Sequence, residues 1–325
     1  MKRPSRILVC RTDSIGDVMV TLPMVGWIKH NWPEIKVDFA GKAYTQAVIE
    51  ACPLVDHFIN ADEWLAMPVA QAKTFMKARN YDVALFAFPD PEWMKVIAAA
   101  GIPVRIATAS RWASWKWANR RVWFSRKNSD LHEAQLNLHL LRPLGITIIP
   151  SLQELVDVST FMPNTKLPAS FEWPQRPFVI LHPKSKGSAV EWGVEAFMAL
   201  AERLMSLNYD VVITGTAAEG ETIRSEVPNW PVGLIDRTGQ LSLSELIAFI
   251  AKAKALVAAS TGPLHIAAAL GIRSIGLYTP QRPMHPGRWA PLGRDTRVLV
   301  AAEHPVHGQK LAISIEEVIK AIEEE

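Results

Sequence analysis

Three short strings combine residue types that could do chemistry, and each directly follows a β-rich apolar run. The first is Arg11-Thr12-Asp13-Ser14-Ile15-Gly16-Asp17. Gly16 permits a tight turn and Asp17 falls in the first turn of the helix that follows. A carboxylate there either caps the helix or, where the loop opens into a ligand crevice, takes a proton from an acceptor hydroxyl. The second is Ser260-Thr261-Gly262-Pro263-Leu264-His265. Hydroxyls at a helix start, a glycine for close approach and a proline in the first turn make an anion cradle, or simply a capped helix. The third is His182-Pro183-Lys184-Ser185-Lys186-Gly187-Ser188. Its two lysines among small residues could embrace a diphosphate or could form a solvated basic loop. Glu219, four residues beyond Gly215, is placed either to hydrogen-bond a ribose or as a plain helix glutamate.

A fourth feature is a segment rather than a string. Residues 105–127 hold seven basic side chains (Arg105, Arg111, Lys116, Arg120, Arg121, Arg126, Lys127), four tryptophans (Trp112, Trp115, Trp117, Trp123) and no acid. That mixture suits a phosphorylated amphiphile, a membrane headgroup layer or single-stranded nucleic acid. A packed helix with snorkelling arginines is the bland alternative.

Absences narrow the chemistry. There is no Gly-x-Gly-x-x-Gly for a dinucleotide, no Walker lysine loop and no Gly-x-Ser-x-Gly elbow. Neither an Asp-x-Asp pair nor a zinc-spaced His/Cys cluster occurs, so neither a metal nor a cofactor is expected.

The elements that must position these residues alternate in type. Strands are expected at 6–10, 36–40, 82–87 and 104–107, then at 178–182, 210–214, 255–259 and 274–278. Helical patterns lie between them, at 17–32, 129–142, 191–207, after Leu243, at 262–270 and at 314–324. Such alternation predicts βαβ units on parallel sheets. Five prolines between 149 and 177 mark a connection, so the expected layout is a Rossmann-like domain over 1–150, a linker over 151–177 and a second Rossmann-like domain over 178–325. The last helix could pack on either domain. A chain of 325 residues suits two such domains.

Hydrophobic content of 49% and charged content of 21% are ordinary for a folded protein, and a net charge of +3 is too small to imply nucleic acid as partner. Lys2, Arg3 and Arg6 precede an apolar run that Arg11 and Asp13 cut short, so it is no signal segment, and no stretch is long enough to span a bilayer. A cytoplasmic protein is expected, touching a membrane at most peripherally. Cys10 and Cys52 read as reduced core thiols.

Taken together, Gly16-Asp17, His182-Pro183, the run Ser260–Gly271, Tyr278-Thr279-Pro280 and Arg288–Gly293 resemble glycosyltransferase family 9, the ADP-heptose:lipopolysaccharide heptosyltransferases. The resemblance spans most of the chain, and Ser-Thr-Gly-Pro-Leu-His is its most specific part. It implies a GT-B fold, two facing Rossmann-like domains with a cleft between them. It also implies inverting, metal-free transfer from a nucleotide-sugar donor to a lipid-linked oligosaccharide acceptor. The family's base matches Asp17, its diphosphate loop Ser260, Thr261, Gly262 and His265, and its ribose glutamate Glu219. Asp13, Arg120 and Arg121 would then meet the acceptor, on the cytoplasmic face of the inner membrane. Two departures stand out. Ser260 occupies a position that is often Asp, and Val190 one that is often Lys, so Lys184, Ser185 and Lys186 would supply the missing diphosphate contact. Two other classes remain open: a sugar-nucleotide binder without turnover, and a nucleic-acid binder using residues 105–127.

Overall fold

The structure is a computed structural model that describes residues 3–303, 305 and 310–324. Lys2, whose charge entered the reading of the N-terminus, lies outside them. The chain divides into two units, Met1–Phe161 and Met162–Glu325.

Each unit is built on a six-stranded, wholly parallel sheet. The first contains β1 (Arg6–Cys10), β2 (Lys36–Gly41), β3 (His57–Asn60), β4 (Val83–Phe86), β5 (Val104–Thr108) and β6 (Arg120–Val122), in the spatial order β3-β2-β1-β4-β5-β6. The second contains β7 (Phe178–His182), β8 (Asp210–Ile213), β9 (Ile235–Asp236), β10 (Ala255–Ala259), β11 (Arg273–Tyr278) and β12 (Thr296–Val300), in the order β12-β11-β10-β7-β8-β9. Counted from its own first strand, the second sheet repeats the order of the first, which is that of the Rossmann fold. Sheets covered on both faces need strands apolar on both faces, and Ile7–Cys10, Val179–Leu181 and Ala255–Val257 are all fully buried.

The eight strands expected from the sequence are the eight inner strands, within a residue at each end. The four it missed, β3, β6, β9 and β12, are the four sheet edges. An edge strand has one neighbour and one open flank, and β3, β6 and β9 are short and lack the apolar run that marks an inner strand, whereas β12 carries Val298-Leu299-Val300 and was missed despite it.

Several helix expectations change. The pattern over 17–32 is two helices, Ile15–Met19 and Leu22–Asn31, broken where Pro23 must sit in a first turn. The helix expected from Ser129 starts at Glu133, capped by His132 rather than Ser129 or Asp130, and continues as a 3-10 turn at His139–Leu144. Residues 151–177 are not connection throughout. Leu152–Val158 is a helix whose Ser151–Glu154 capping box closes its first turn. It lies so close to helix Leu22–Asn31 that a Cβ at Gly26 would come within 2.5 Å of Val158 O. Seven residues are too few to show helical periodicity, so the prolines around them dominated the pattern. The last helix, Ile315–Glu323, packs Val318, Ala321 and Ile322 into the core of the second unit, beside Leu200 and Leu204.

Among the described residues no helix is long and apolar enough to cross a membrane. Cys10 and Cys52 are buried and free, and burial pushes their thiols up to about 12 and about 11.

Candidate active site

In open parallel sheets, ligands bind outside the carboxyl ends of the strands, where the strand order reverses. That point falls between β1 and β4 in the first unit and between β7 and β10 in the second. The loop after β1 is Arg11–Ser14, the loop after β7 begins at Pro183, and Ser260-Thr261 follows β10. The parallel pairing of β7 with β10, His182 opposite Ala258, brings together two strings more than seventy residues apart in the chain. Leu181 opposite Ile213 adds the β8 loop and Glu219 on the other side.

In the first unit the organising side chain is Arg11, which is buried. Its Nε donates to Asp13 Oδ1 at 2.6 Å, and Nη2 donates to Asp17 Oδ1. Its third nitrogen lies 3.8 Å from Glu133 Oε1, itself buried and bonded by Arg126 Nε at 2.8 Å. Asp17 is held on both oxygens, since Oδ2 accepts the Ser14 hydroxyl at 2.6 Å. Ser14 is also the N-cap of helix Ile15–Met19, accepting from the Asp17 N–H at 3.3 Å. Asp17 is therefore a first-turn carboxylate held by Arg11 and the Ser14 hydroxyl, and the cap of this helix is Ser14 rather than Asp17.

Asp13 differs from its neighbour. Burial, countered by Arg11 and reinforced by the charge on Asp17, pushes its carboxyl up to about 6. A carboxyl with a raised folded-state pKa stabilises the fold below its ordinary value near ~4 and loses that contribution as pH rises towards the folded value. Stability of the parent should therefore fall, relative to Asp13→Asn, by on the order of 2 kcal/mol between about pH 4 and pH 6. Denaturant titrations of both proteins across that range measure the difference directly. Parallel curves would show that Asp13 titrates normally.

In the second unit Thr261 is the N-cap of helix Gly262–Ala269 but makes no side-chain capping bond. Its hydroxyl is buried and, among the described residues, has no hydrogen-bond partner. A buried polar atom without a partner costs about 1–3 kcal/mol, and this one sits where a helix start already favours an anion. Ser260 lies against the Tyr278 hydroxyl, which donates to Trp289 O at 2.7 Å. His265 is buried on the same helix.

The lysine string separates into parts. Lys184 Nζ donates to Glu191 Oε2 at 3.1 Å and Glu226 Oε1 at 2.9 Å, so its charge is spent inside the fold. Ser185 is buried, gives its N–H to Glu191 Oε1 at 2.8 Å and holds its hydroxyl 3.0 Å from Ala189 O. Both were expected at the donor, and in this structure both make these contacts within the loop and its neighbours. Lys186 remains exposed, with a left-handed φ of +50° that turns the chain just before Gly187. Lys186 and Glu219 both act on the charge of His182. That histidine is buried, pushed down to about 4 chiefly by desolvation, and its Nδ1 shares a 3.0 Å hydrogen bond with Thr214 Oγ1. Glu219 Oε2 accepts the N–H (2.7 Å) and hydroxyl (2.8 Å) of Thr216 in a capping box. Burial works against the Glu219 charge, but these bonds and the nearby His182 and Lys186 lower its pKa on balance. Among the described residues its second oxygen accepts no hydrogen bond.

The basic segment is not one helix. It is β5, a short helix Trp112–Trp117 and the edge strand β6. Arg120 and Arg121 are both exposed, but as consecutive strand residues they leave on opposite faces and do not form a pair. Arg105 turns inward to Trp117 O and Ile102 O, and Arg126 to Glu133. Reasoning from sequence missed Arg11 as organiser, Glu133 and Thr214. Arg11 stood within a string already singled out, whereas nothing local marks the other two.

Among the described residues no cluster of three or more His, Cys, Asp or Glu could hold a metal ion. What the two units define is thus an α/β protein of paired Rossmann-like sheets with loops suited to a carboxylate-assisted reaction and an anionic ligand. The description glycosyltransferase family 9 (heptosyltransferase) matches residues 76–317, and the chain belongs to that family. It is a glycosyltransferase of the GT-B fold. A putative glycosyltransferase of Haemophilus influenzae is 27% identical over 88% of this chain and 86% of its own length. The lipopolysaccharide heptosyltransferase 3 of Escherichia coli is 25% identical over 81% of this chain and 80% of its own. The E. coli heptosyltransferase WaaC, solved with ADP, superposes with a TM-score of 0.75 at 20% identity, covering 98% of this chain and 99% of that one. With ADP-2-deoxy-2-fluoro heptose the same enzyme gives 0.71 at 21% identity, over 98% and 99%.

Proposed function

We propose that this chain transfers a heptose from ADP-heptose to a lipopolysaccharide core acceptor, with inversion and without a metal. The acceptor hydroxyl oxygen attacks the anomeric carbon while its proton passes to Asp17, and the bond to the diphosphate oxygen breaks as ADP leaves with the electron pair. Arg11 aims the carboxylate. Thr261, the start of helix Gly262–Ala269 and Lys186 receive the negative charge that grows on the leaving diphosphate. Glu219, through its unused oxygen, takes the ribose hydroxyls, with neutral His182 near enough to act on its charge. Ser260 and His265 line the same loop. On the acceptor side Asp13 flanks the base, while Arg120 and Arg121, on opposite strand faces, serve different anionic groups. The site of action would be the cytoplasmic face of the inner membrane.

The observation that carries this reading is the buried Thr261 hydroxyl, without a hydrogen-bond partner among the described residues, at the start of a helix that follows the strand paired with β7. Support for the donor comes from the ADP and ADP-heptose-analogue complexes of WaaC, and for the acceptor from the activity in the name of the E. coli relative. Metal independence rests on the helix start and Lys186 doing the work of a cation.

A ligand that binds only the folded state raises its stability by mass action. ADP and ADP-heptose should therefore raise the melting temperature more than UDP-sugars do, and EDTA should leave both binding and transfer unchanged. Lys186→Ala should weaken ADP binding about tenfold, the scale of one charge-assisted contact. Lys184→Ala should instead cost stability, because Glu191 and Glu226 lose their shared cation. Equal ADP affinity in Lys186→Ala and the parent, or activity restored after EDTA only by magnesium or manganese, would overturn the metal-free scheme.

A further inference from the structure

Three tryptophans of the first unit stand in the open: Trp112 is 67% exposed, Trp115 55% and Trp123 71%. Indoles are among the most apolar surfaces a protein owns, and three within twelve residues make a patch that calls for a partner. The patch is built, not frayed. Trp112 and Trp115 are three apart on helix Trp112–Trp117 and so share a side of it. Trp115 and Trp123 meet edge-on at 6.0 Å, and the Arg121 guanidinium lies 4.6 Å over the Trp115 ring. Trp115 Nε1 donates to Ala109 O at 2.9 Å, which fixes the ring and leaves its apolar body outward.

The charge around it is predominantly positive. Arg111, Lys116, Arg120, Arg121 and Lys127 are exposed, and there is no acid from 105 to 127. Of the next two carboxylates along the chain, Asp130 is exposed, and Glu133 is buried and bonded by Arg126. The helix packed against Trp112–Trp117, Pro91–Ala99, carries Glu92 and Lys95, which offset each other, and the 3-10 turn packed against β6 adds Arg142.

We infer that this face, with Trp112, Trp115 and Trp123 ringed by Arg111, Lys116 and Arg121, docks the protein onto an anionic lipid bilayer. Indoles sit at the level where headgroups meet acyl chains, while arginine and lysine bind the lipid phosphates beside them. Nucleic acid fits less well. Bases stack on ring faces, and here one face of Trp115 is covered by Arg121 while Trp123 meets it at 66° rather than in parallel. The inference does not rest on the donor or acceptor reading, since it concerns lipid binding alone.

The test is co-sedimentation of the full chain with vesicles of phosphatidylcholine and of phosphatidylcholine mixed with phosphatidylglycerol. The expected result is binding to the mixed vesicles that weakens with salt, with a blue shift of tryptophan emission, and little binding to phosphatidylcholine alone. The surface variants Trp112→Ser/Trp123→Ser and Arg111→Gln/Lys116→Gln should each lower that binding by about tenfold or more at an unchanged melting temperature. Binding in both variants equal to the parent would overturn the proposal. So would indifference of the parent to phosphatidylglycerol, or tight binding to a single-stranded oligonucleotide with none to vesicles. A variant that melts early is judged by the other, because the two change different side chains.

Discussion

Asp17→Asn should lower the rate of transfer by about 10²–10⁴-fold, the usual contribution of a positioned general base, while ADP binds as before. The Asn side chain fits the same space, and its oxygen can still accept from Arg11. The Ser14 hydroxyl, which donates to Asp17 Oδ2 at 2.6 Å, can turn to accept from the amide instead. What is lost is the ability to take a proton. Fold and donor binding should therefore survive and only the chemical step should fail, which separates this variant from a destabilised one. Single-turnover transfer beside an ADP titration gives both numbers. Near-parental turnover would remove Asp17 from the mechanism and leave Asp13, the other carboxylate on Arg11, as the candidate base.

The largest expected effect on stability is Glu133→Ala. The Glu133 carboxylate is buried, 2.8 Å from Arg126 Nε and 3.8 Å from Arg11 Nη1. Removing one partner of a buried ion pair costs about 3–5 kcal/mol, and here it would take the carboxylate from Arg126 and leave Arg11 with Asp13 and Asp17. Arg126 also donates to Asn137 at 3.2 Å, which softens the loss without replacing the charge. Transfer should fall too, because Arg11 would turn towards Asp13 and Asp17 alone and change the aim of the base. Chemical denaturation of variant and parent measures the difference. A loss under about 1 kcal/mol would mean that Arg11 and Arg126 are sufficiently held by their remaining partners.

Much of the candidate donor region's local structure was legible in the sequence. Ser260–His265 read as a helix start with an anion cradle, and the helix does begin at Gly262. Glu219 read as either ribose contact or helix glutamate, and the capping box shows why both readings were available. One of its oxygens does structural work while the other is unused. The basic, tryptophan-rich segment was less legible. Seven basic residues counted alike along the chain, yet Arg105 and Arg126 turn inward and Arg120 and Arg121 diverge, which composition cannot reveal.

By itself the sequence determined the eight inner strands, the two-sheet plan and the loops proposed to carry chemistry. It could do so because strands buried on both faces must be continuously apolar, and because turns and helix starts demand particular residues. Only tertiary structure decided the four edge strands, three of which are two to four residues long and carry no such run. Tertiary structure also decided partnership. Glu226, forty-two residues along the chain from Lys184, helps neutralise it and leaves Lys186 as the exposed cation of that loop. Glu133 reaches Arg11 across 122 residues, and the pairing of β7 with β10 lays the lysine loop beside Thr261. Charge and burial depend on what the chain brings near, and for these side chains the neighbours are distant in sequence.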